Sequence, residues 1–208
     1  MKVSTSHVDE RGAARRGAVR DIVPIGPPGS GKSTQGKLIA AKFELGYIST
    51  GQLFRDEAAQ QTEAGRRIGR SLAAGELLPD EETYPLVRAA LLTPPAAQGL
   101  VIDGFPRTDA QAVEFERICL ELGRLEPLAV ELLLTDEVAV ERLLARSEGR
   151  ADDTQATILH RQEIYRAESA PLLDHYRRRD ALLTIDASSA VEDVAASFAR
   201  ALAASLSN

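Results

Sequence analysis

Short apolar runs alternate with stretches of helical periodicity along most of this 208-residue chain. Four runs, Ala18–Ile25, Leu100–Ile102, Val130–Leu134 and Leu182–Ile185, are nearly continuous in apolar residues, the pattern of parallel strands buried on both faces. A weaker run lies at Gly46–Ile48. Between them, Ser33–Phe43, Ala110–Leu122, Val138–Arg146 and Gln155–Arg179 read as helices. The stretch Ala190–Leu206 repeats Val191, Val194, Ala195, Phe198, Ala201 and Leu202 at helical spacing, and Pro79-Asp80-Glu81-Glu82 signals a further helix start. Strands alternating with helices predict an α/β fold with a doubly wound, five-stranded parallel sheet, its ligands gathered at the strands' carboxyl ends. Two prolines disturb the pattern. Pro24 removes a ladder donor from the first strand, and Pro85 predicts a kink or a shifted start in the helix after Pro79.

Residues 1–18 follow neither periodicity and read as a disordered tail. Charge sharpens that boundary. Residues 1–20 hold five basic and two acidic side chains, a balance of +3, so a chain of net charge −6 leaves −9 for its body. An acidic body argues against general nucleic-acid binding, and any anion has to be held by locally placed arginines. No apolar run approaches the ~20 residues a membrane-spanning helix needs, which argues against a membrane partner. The single cysteine, Cys119, excludes an internal disulfide framework and a cysteine-clustered zinc site. It sits in an apolar helical stretch as a small core residue, and a reducing, cytoplasmic location is expected. No heptad seam calls for a protein partner, so a monomer is expected.

The chemistry begins where the first strand ends. Gly26-Pro27-Pro28-Gly29-Ser30-Gly31-Lys32-Ser33 fits G-x-x-x-x-G-K-[ST], directly after an apolar strand and opening a helix. Glycines let successive backbone N–H groups converge on an anion, the helix adds its N-terminal dipole, and Lys32 brings a mobile cation. Such a loop cradles the phosphates of a nucleotide.

Three further motifs follow in order: Tyr47-Ile48-Ser49-Thr50-Gly51 with Arg55, Asp103-Gly104-Phe105-Pro106-Arg107-Thr108 with Gln111, and Gly149-Arg150-Ala151-Asp152-Asp153 with Arg161. Together with the P-loop and Thr34 they resemble the adenylate kinases, over about residue 20 to the C-terminus, in the short-lid form of the P-loop nucleoside monophosphate kinases. The resemblance implies a P-loop NTPase-type core over residues 19–48, 79–145 and 154–208, a small helical AMP-binding insert over 49–78 and a short lid over 146–153 within a kinase domain spanning 19–208. It implies reversible transfer of the terminal phosphate of Mg-ATP to AMP, giving two ADP and maintaining adenine nucleotide balance.

Carried over residue by residue, the resemblance puts ATP against Gly29, Ser30, Gly31, Lys32, Ser33, Thr34, Arg142, Arg146 and Ser189. It puts AMP against Thr50, Gly51, Arg55, Glu76, Leu77, Leu78, Gly104, Phe105, Pro106, Arg107, Gln111, Arg150 and Arg161. Lys32, Arg107, Arg142, Arg146, Arg150 and Arg161 become the catalytic cations, with Asp152 and Asp153 ordering the lid arginines. Asp103 and Ser33 become the Mg²⁺ residues, mostly through water. The resemblance also implies a cis Phe105-Pro106 bond, and Thr50, Thr108 and Gln111 look like the adenine-accepting pattern. No zinc is expected. This set suits phosphoryl transfer, which asks a protein mainly to align two nucleotides, neutralise the moving charge and exclude water. Guanidinium forks stay charged and match phosphate oxygens.

Two residues depart from the family pattern, which has glycine at Ser33 and aspartate at Gln52. Ser33 restores the hydroxyl that other P-loop proteins place on Mg²⁺, while Gln52 removes a carboxylate from the metal's water shell. Two other readings stay open: a kinase of the same fold acting on UMP, CMP or another monophosphate, and a nucleotide-binding protein impaired in catalysis.

Overall fold

The apolar run behind Arg20 condenses into the central strand of a sheet, and the other described strands and helices are arranged around it. A computed structural model describes residues 20–92, 99–144 and 154–206. The strands are β1 (Ile22–Ile25), β2 (Gly46–Ser49), β3 (Leu100–Asp103), β4 (Leu128–Leu133) and β5 (Leu182–Asp186). They pair entirely in parallel in the order β2-β3-β1-β4-β5. The helices are α1 (Lys32–Lys42), α2 (Thr50–Ala58), α3 (Glu63–Ala74), α4 (Asp80–Leu91), α5 (Asp109–Glu121), α6 (Asp136–Leu144), α7 (Gln155–Arg177) and α8 (Val191–Leu206). The expected alternation is therefore present. The first strand starts at Ile22 rather than Ala18, and the fourth begins two residues early, at Leu128. The tail and the lid segment lie outside the described residues.

Helices cover both faces of the sheet. On one face, Val23, Leu100 and Ile102 pack with Phe115 and Ile118 of α5 and with Leu172 and Tyr176 of α7. On the other, Ile22, Val101 and Val130 pack with Ile39 of α1 and with Val194, Phe198 and Leu202 of α8. Cys119 belongs to the first cluster, as expected of a small core residue, and burial pushes its thiol up to about 12. Phe54 of α2, Ile68 of α3 and Leu78 of the segment after α3 form a small cluster of their own. Gly75 ends α3 at φ 76°, and a Cβ there would lie 2.7 Å from Thr157 Cγ2. That glycine is doubly required, by backbone conformation and by close approach. Among the described residues no helix is long and apolar enough to cross a membrane.

The two prolines have structural explanations. Leu128 N–H donates to the Asp21 carbonyl at 2.8 Å, so by alternation Asp21, Val23 and Ile25 turn their polar groups toward β4, while Ile22 and Pro24 face β3. Pro24 thus costs a donor only on the β3 side, where pairing ends at Ile22↔Val101; four successive pairs persist toward β4. Pro85 lies inside α4 on its exposed side, and the helix runs continuously from Asp80 with Pro79 as N-cap. The carbonyl that Pro85 leaves without its helical partner is that of Glu81, also exposed, where water can serve it.

At the amino end of the sheet, Asp21 is 1% exposed. Its carboxylate accepts from Arg124 Nε and Nη2, both at 2.6 Å, and from Leu100 N–H at 2.9 Å. This fork ties the loop after α5 to β1 and β3. Removing one member of a buried pair strands the other's charge, at about 3–5 kcal/mol. Replacement of Arg124 by methionine is expected to lower unfolding stability by about 3 kcal/mol in urea titrations, and a change below ~1 kcal/mol would show that Asp21 is held by its other partners alone.

Candidate active site

The P-loop leaves β1 at Gly26 and enters α1 through Gly31. Gly29 and Gly31 have φ of 90° and 86°, the left-handed region that turns neighbouring N–H groups to one side. The N-cap Gly31 makes no side-chain cap, and the first turn of α1 holds no acidic residue. The helix's positive end is thus open to an anion. Lys32 Nζ donates to the carbonyls of Gly26 (2.6 Å) and Pro27 (2.9 Å), bent back over its own loop. From behind, Gln162 Nε2 donates to the Pro28 carbonyl at 3.0 Å.

The strand order puts Asp103, the last residue of β3, beside this loop. One carboxylate oxygen, Oδ2, accepts from Ser33 Oγ at 2.5 Å and from the Tyr47 hydroxyl at 2.9 Å. Burial, with the Asp103 charge adding to it, raises the Tyr47 phenol far above its ordinary value and keeps it a donor. Burial pushes the Lys32 amine down to about 8, the pull of Asp103 opposing and the charge of Arg107 reinforcing the fall. Burial lowers the Arg107 guanidinium as well; Asp103 opposes this and Arg161 reinforces it. Cations whose charges oppose one another in this way favour an anionic ligand between them.

Lys32, Arg55, Arg107, Arg142 and Arg161 all line one cavity of about 440 Å³ that runs from Gly29 and Gly31 to Leu78 and Gln111. The far end is built by α3, α4 and the loop after β3. Glu76, Leu77 and Leu78 line it, with Gly51, Gly104, Phe105 and Pro106. The Phe105-Pro106 bond is cis, as expected. Gly104 has φ 92°, and a Cβ there would sit 2.7 Å from Thr50 Oγ1. Arg107 Nε donates to the Gly104 carbonyl at 2.8 Å.

Thr50 and Thr108 stand behind the pocket wall. Thr50 is fully buried and gives its hydroxyl to the Asp103 carbonyl at 3.0 Å. Thr108 caps α5, accepting from Gln111 N–H at 3.1 Å. Gln52 faces outward, its amide shared between Asp56 (2.7 Å) and Arg55 (2.9 Å) rather than reaching Asp103.

A second cavity, about 310 Å³, lies across the P-loop between Gly29, Thr34, Arg142 and the loop from β5 to α8, with Ser30 and Ser189 also on its wall. Arg142 bridges the two cavities. Its guanidinium donates to the carbonyls of Ala187 (2.9 Å), Ser188 (3.0 Å) and Ser189 (3.4 Å). Arg146, Arg150, Asp152 and Asp153 lie outside the described residues. Among the described residues, no cluster of three or more His, Cys, Asp or Glu side chains is arranged to hold a metal.

Sequence reasoning missed three supporting side chains. Tyr47 bonds Asp103, Gln162 bonds the P-loop, and Asp80 bonds Gln111. Asp80-x-x-x-Tyr84, an i,i+4 polar pair at a helix start, was the visible signal for the last; the other two join residues 56 and 134 positions apart.

With this geometry in place, similarity to known proteins is informative. The family model described as adenylate kinase matches residues 24–181, well over half of the chain. A protein named adenylate kinase from Rhodococcus erythropolis is 42% identical over 183 residues, 88% of this chain and 97% of the relative. One from Mycobacteroides abscessus is 44% identical over 181 residues, covering 87% and 98%, and one from Corynebacterium urealyticum is 42% identical over 173, covering 83% and 93%. A P-loop, a cation-lined cavity joining it to a second pocket, and these likenesses along nearly the whole chain agree: the chain belongs to the adenylate kinase family.

Proposed function

We propose that this protein transfers the terminal phosphoryl group of Mg-ATP to AMP, reversibly, yielding two ADP. The observation that carries this reading is the continuity of the larger cavity: the P-loop and a second pocket open into one space with cations at their junction. Donor phosphates fit the nest of Gly29 to Thr34, with the adenosine in the smaller cavity beside Ser189. The acceptor base fits between Leu78 and Gln111, and its phosphate falls to Arg55 and Arg107. Arg161 and Arg142 close the charge from the sides. A loose phosphoryl-transfer transition state spreads negative charge over its oxygens, and guanidinium groups held around one cleft stabilise it with little reorganisation.

Ser33 Oγ and the Asp103 carboxylate stand together beside the P-loop, a hard-oxygen pair suited to Mg²⁺ with most of its waters retained. Bound Mg²⁺ neutralises phosphate charge and orients the phosphates. The Ser33 hydroxyl offsets the carboxylate that Gln52 lacks. Three units, the core, the insert over 49–78 and the lid over 146–153, follow from the family likeness, with a monomer as the working form. The relatives named above favour AMP over a pyrimidine monophosphate as acceptor.

A coupled assay offering AMP, dAMP, CMP and UMP with ATP tests the reading. AMP is expected to be the preferred acceptor, with transfer lost when Mg²⁺ is omitted. Arg107→Ala is expected to lower turnover about 10²–10³-fold while ATP affinity changes little. Preferred transfer to CMP or UMP, or nucleotide binding with no turnover, would refute it.

Lys32 supplies a second test. With its amine depressed to about 8, the free protein carries it mostly neutral at about pH 9 and mostly charged at about pH 6.5. A triphosphate favours the charged form. Calorimetric titration with ATP in buffers of different ionisation enthalpy is therefore expected to show uptake of close to one proton per site at about pH 9, falling away by about pH 6.5. Absence of buffer dependence at the higher pH would contradict it.

A further inference from the structure

Gln111 is 4% exposed, lines the acceptor end of the larger cavity and is held by two partners of opposite kind. Its Oε1 accepts from the backbone N–H of Arg107 at 2.8 Å, and its Nε2 donates to Asp80 Oδ1 at 2.9 Å. A backbone N–H can only donate and a carboxylate can only accept, so the amide has one allowed orientation. Turned over, it would set N–H against N–H and oxygen against oxygen. One N–H of Nε2 and one lone pair of Oε1 remain for a ligand.

Asp80 is itself fixed. Its other oxygen, Oδ2, accepts from the Tyr84 hydroxyl at 2.8 Å, one helical turn along α4. Tyr84 packs edge-on against Phe105, with ring centroids 6.3 Å apart. Burial, then the Asp80 bond, pushes the Tyr84 phenol up to about 12, so it stays a donor. Asp80 also opens α4, where the helix dipole favours a negative charge.

We propose that Asp80 is a specificity-determining positioning residue: by fixing the Gln111 amide, it makes the pocket accept a 6-aminopurine monophosphate and reject a 6-oxopurine one. The chemistry lies in the six-membered ring edge. A 6-aminopurine presents an acceptor at N1 and a donor at N6, which pair with an N–H and a carbonyl in the order Gln111 offers. A 6-oxopurine presents a donor at N1 and an acceptor at O6, the reverse order. A glutamine free to rotate meets both by turning its amide over. Here the turn breaks a bond to a charged group and buries a donor clash and an acceptor clash. Discrimination built on mispaired polar groups is far steeper than discrimination by shape.

This inference rests on the acceptor pocket being the AMP site, and the experiment separates the two. AMP and IMP differ chiefly at this edge, so kcat/KM for each is measured with the parent protein, Asp80→Ala and Asp80→Asn, together with each ligand's Kd by calorimetry without donor. The parent is expected to prefer AMP strongly. In Asp80→Ala the AMP-to-IMP ratio is expected to fall about tenfold or more, in kcat/KM and in Kd alike. Asp80→Asn keeps an oxygen acceptor but can present it or an amide nitrogen, and its ratio is expected to lie between. Equal losses for AMP and IMP, leaving the ratio unchanged, would overturn the proposal, since a purely structural role weakens both ligands together. If Asp80→Ala does not fold, the ratio in Asp80→Asn decides on the same terms. A parent protein that does not favour AMP over IMP, CMP and UMP would instead overturn the reading of the pocket.

Discussion

The site depends on cations gathered around one carboxylate. Arg107 lowers the proton affinity of Lys32, and Arg161 that of Arg107, while burial lowers both and Asp103 opposes the fall. Left to themselves such groups repel, and desolvation makes that repulsion stronger. The protein settles them on its own carbonyls: Lys32 on Gly26 and Pro27, Arg107 on Gly104, Arg142 on the loop after β5. In the proposed function, phosphate oxygens replace these carbonyls and relieve a tension that the fold has built in.

The fold builds it through strand order. Placing β1 next to β3 brings the P-loop against Asp103, and placing β2 on the far side of β3 brings Tyr47 and Thr50 against the same residue. Three loops that are distant in sequence thus meet at the carboxyl edge of three neighbouring strands, where open α/β sheets bind ligands. The amino edge is secured separately by the buried fork between Asp21 and Arg124. One end of the sheet is satisfied internally, and the other gathers the cations that line the larger cavity.

Much of this could be read from the chain. The buried strands are continuous apolar runs, so their existence and order in sequence were legible, as were the P-loop and the arginine motifs. Boundaries were less so: the strand before the P-loop begins at Ile22, after Asp21 has turned its carboxylate to Arg124 and Leu100. Pairing order is a long-range property that periodicity does not encode, which is why Pro24 looked anomalous until its face was known. The same limit hid Tyr47, Gln162 and Asp80. Each acts through a side chain brought near by the fold, and only Asp80 and Tyr84 left a local trace. The partners of the Gln52 amide, Arg55 and Asp56 along its own helix, were likewise not legible.

The central claim is that the donor's phosphates and the acceptor nucleotide meet in one continuous cavity whose cations serve both. A single molecule in which two adenosines are joined through five phosphates spans such a cavity and pre-pays the cost of assembling two ligands. Calorimetric titration of the full-length protein with that compound is the direct measurement. One molecule bound per chain, with a Kd at least a hundredfold below those of ATP and AMP measured separately, is the predicted result. Binding no tighter than ATP alone, or two molecules per chain, would contradict it.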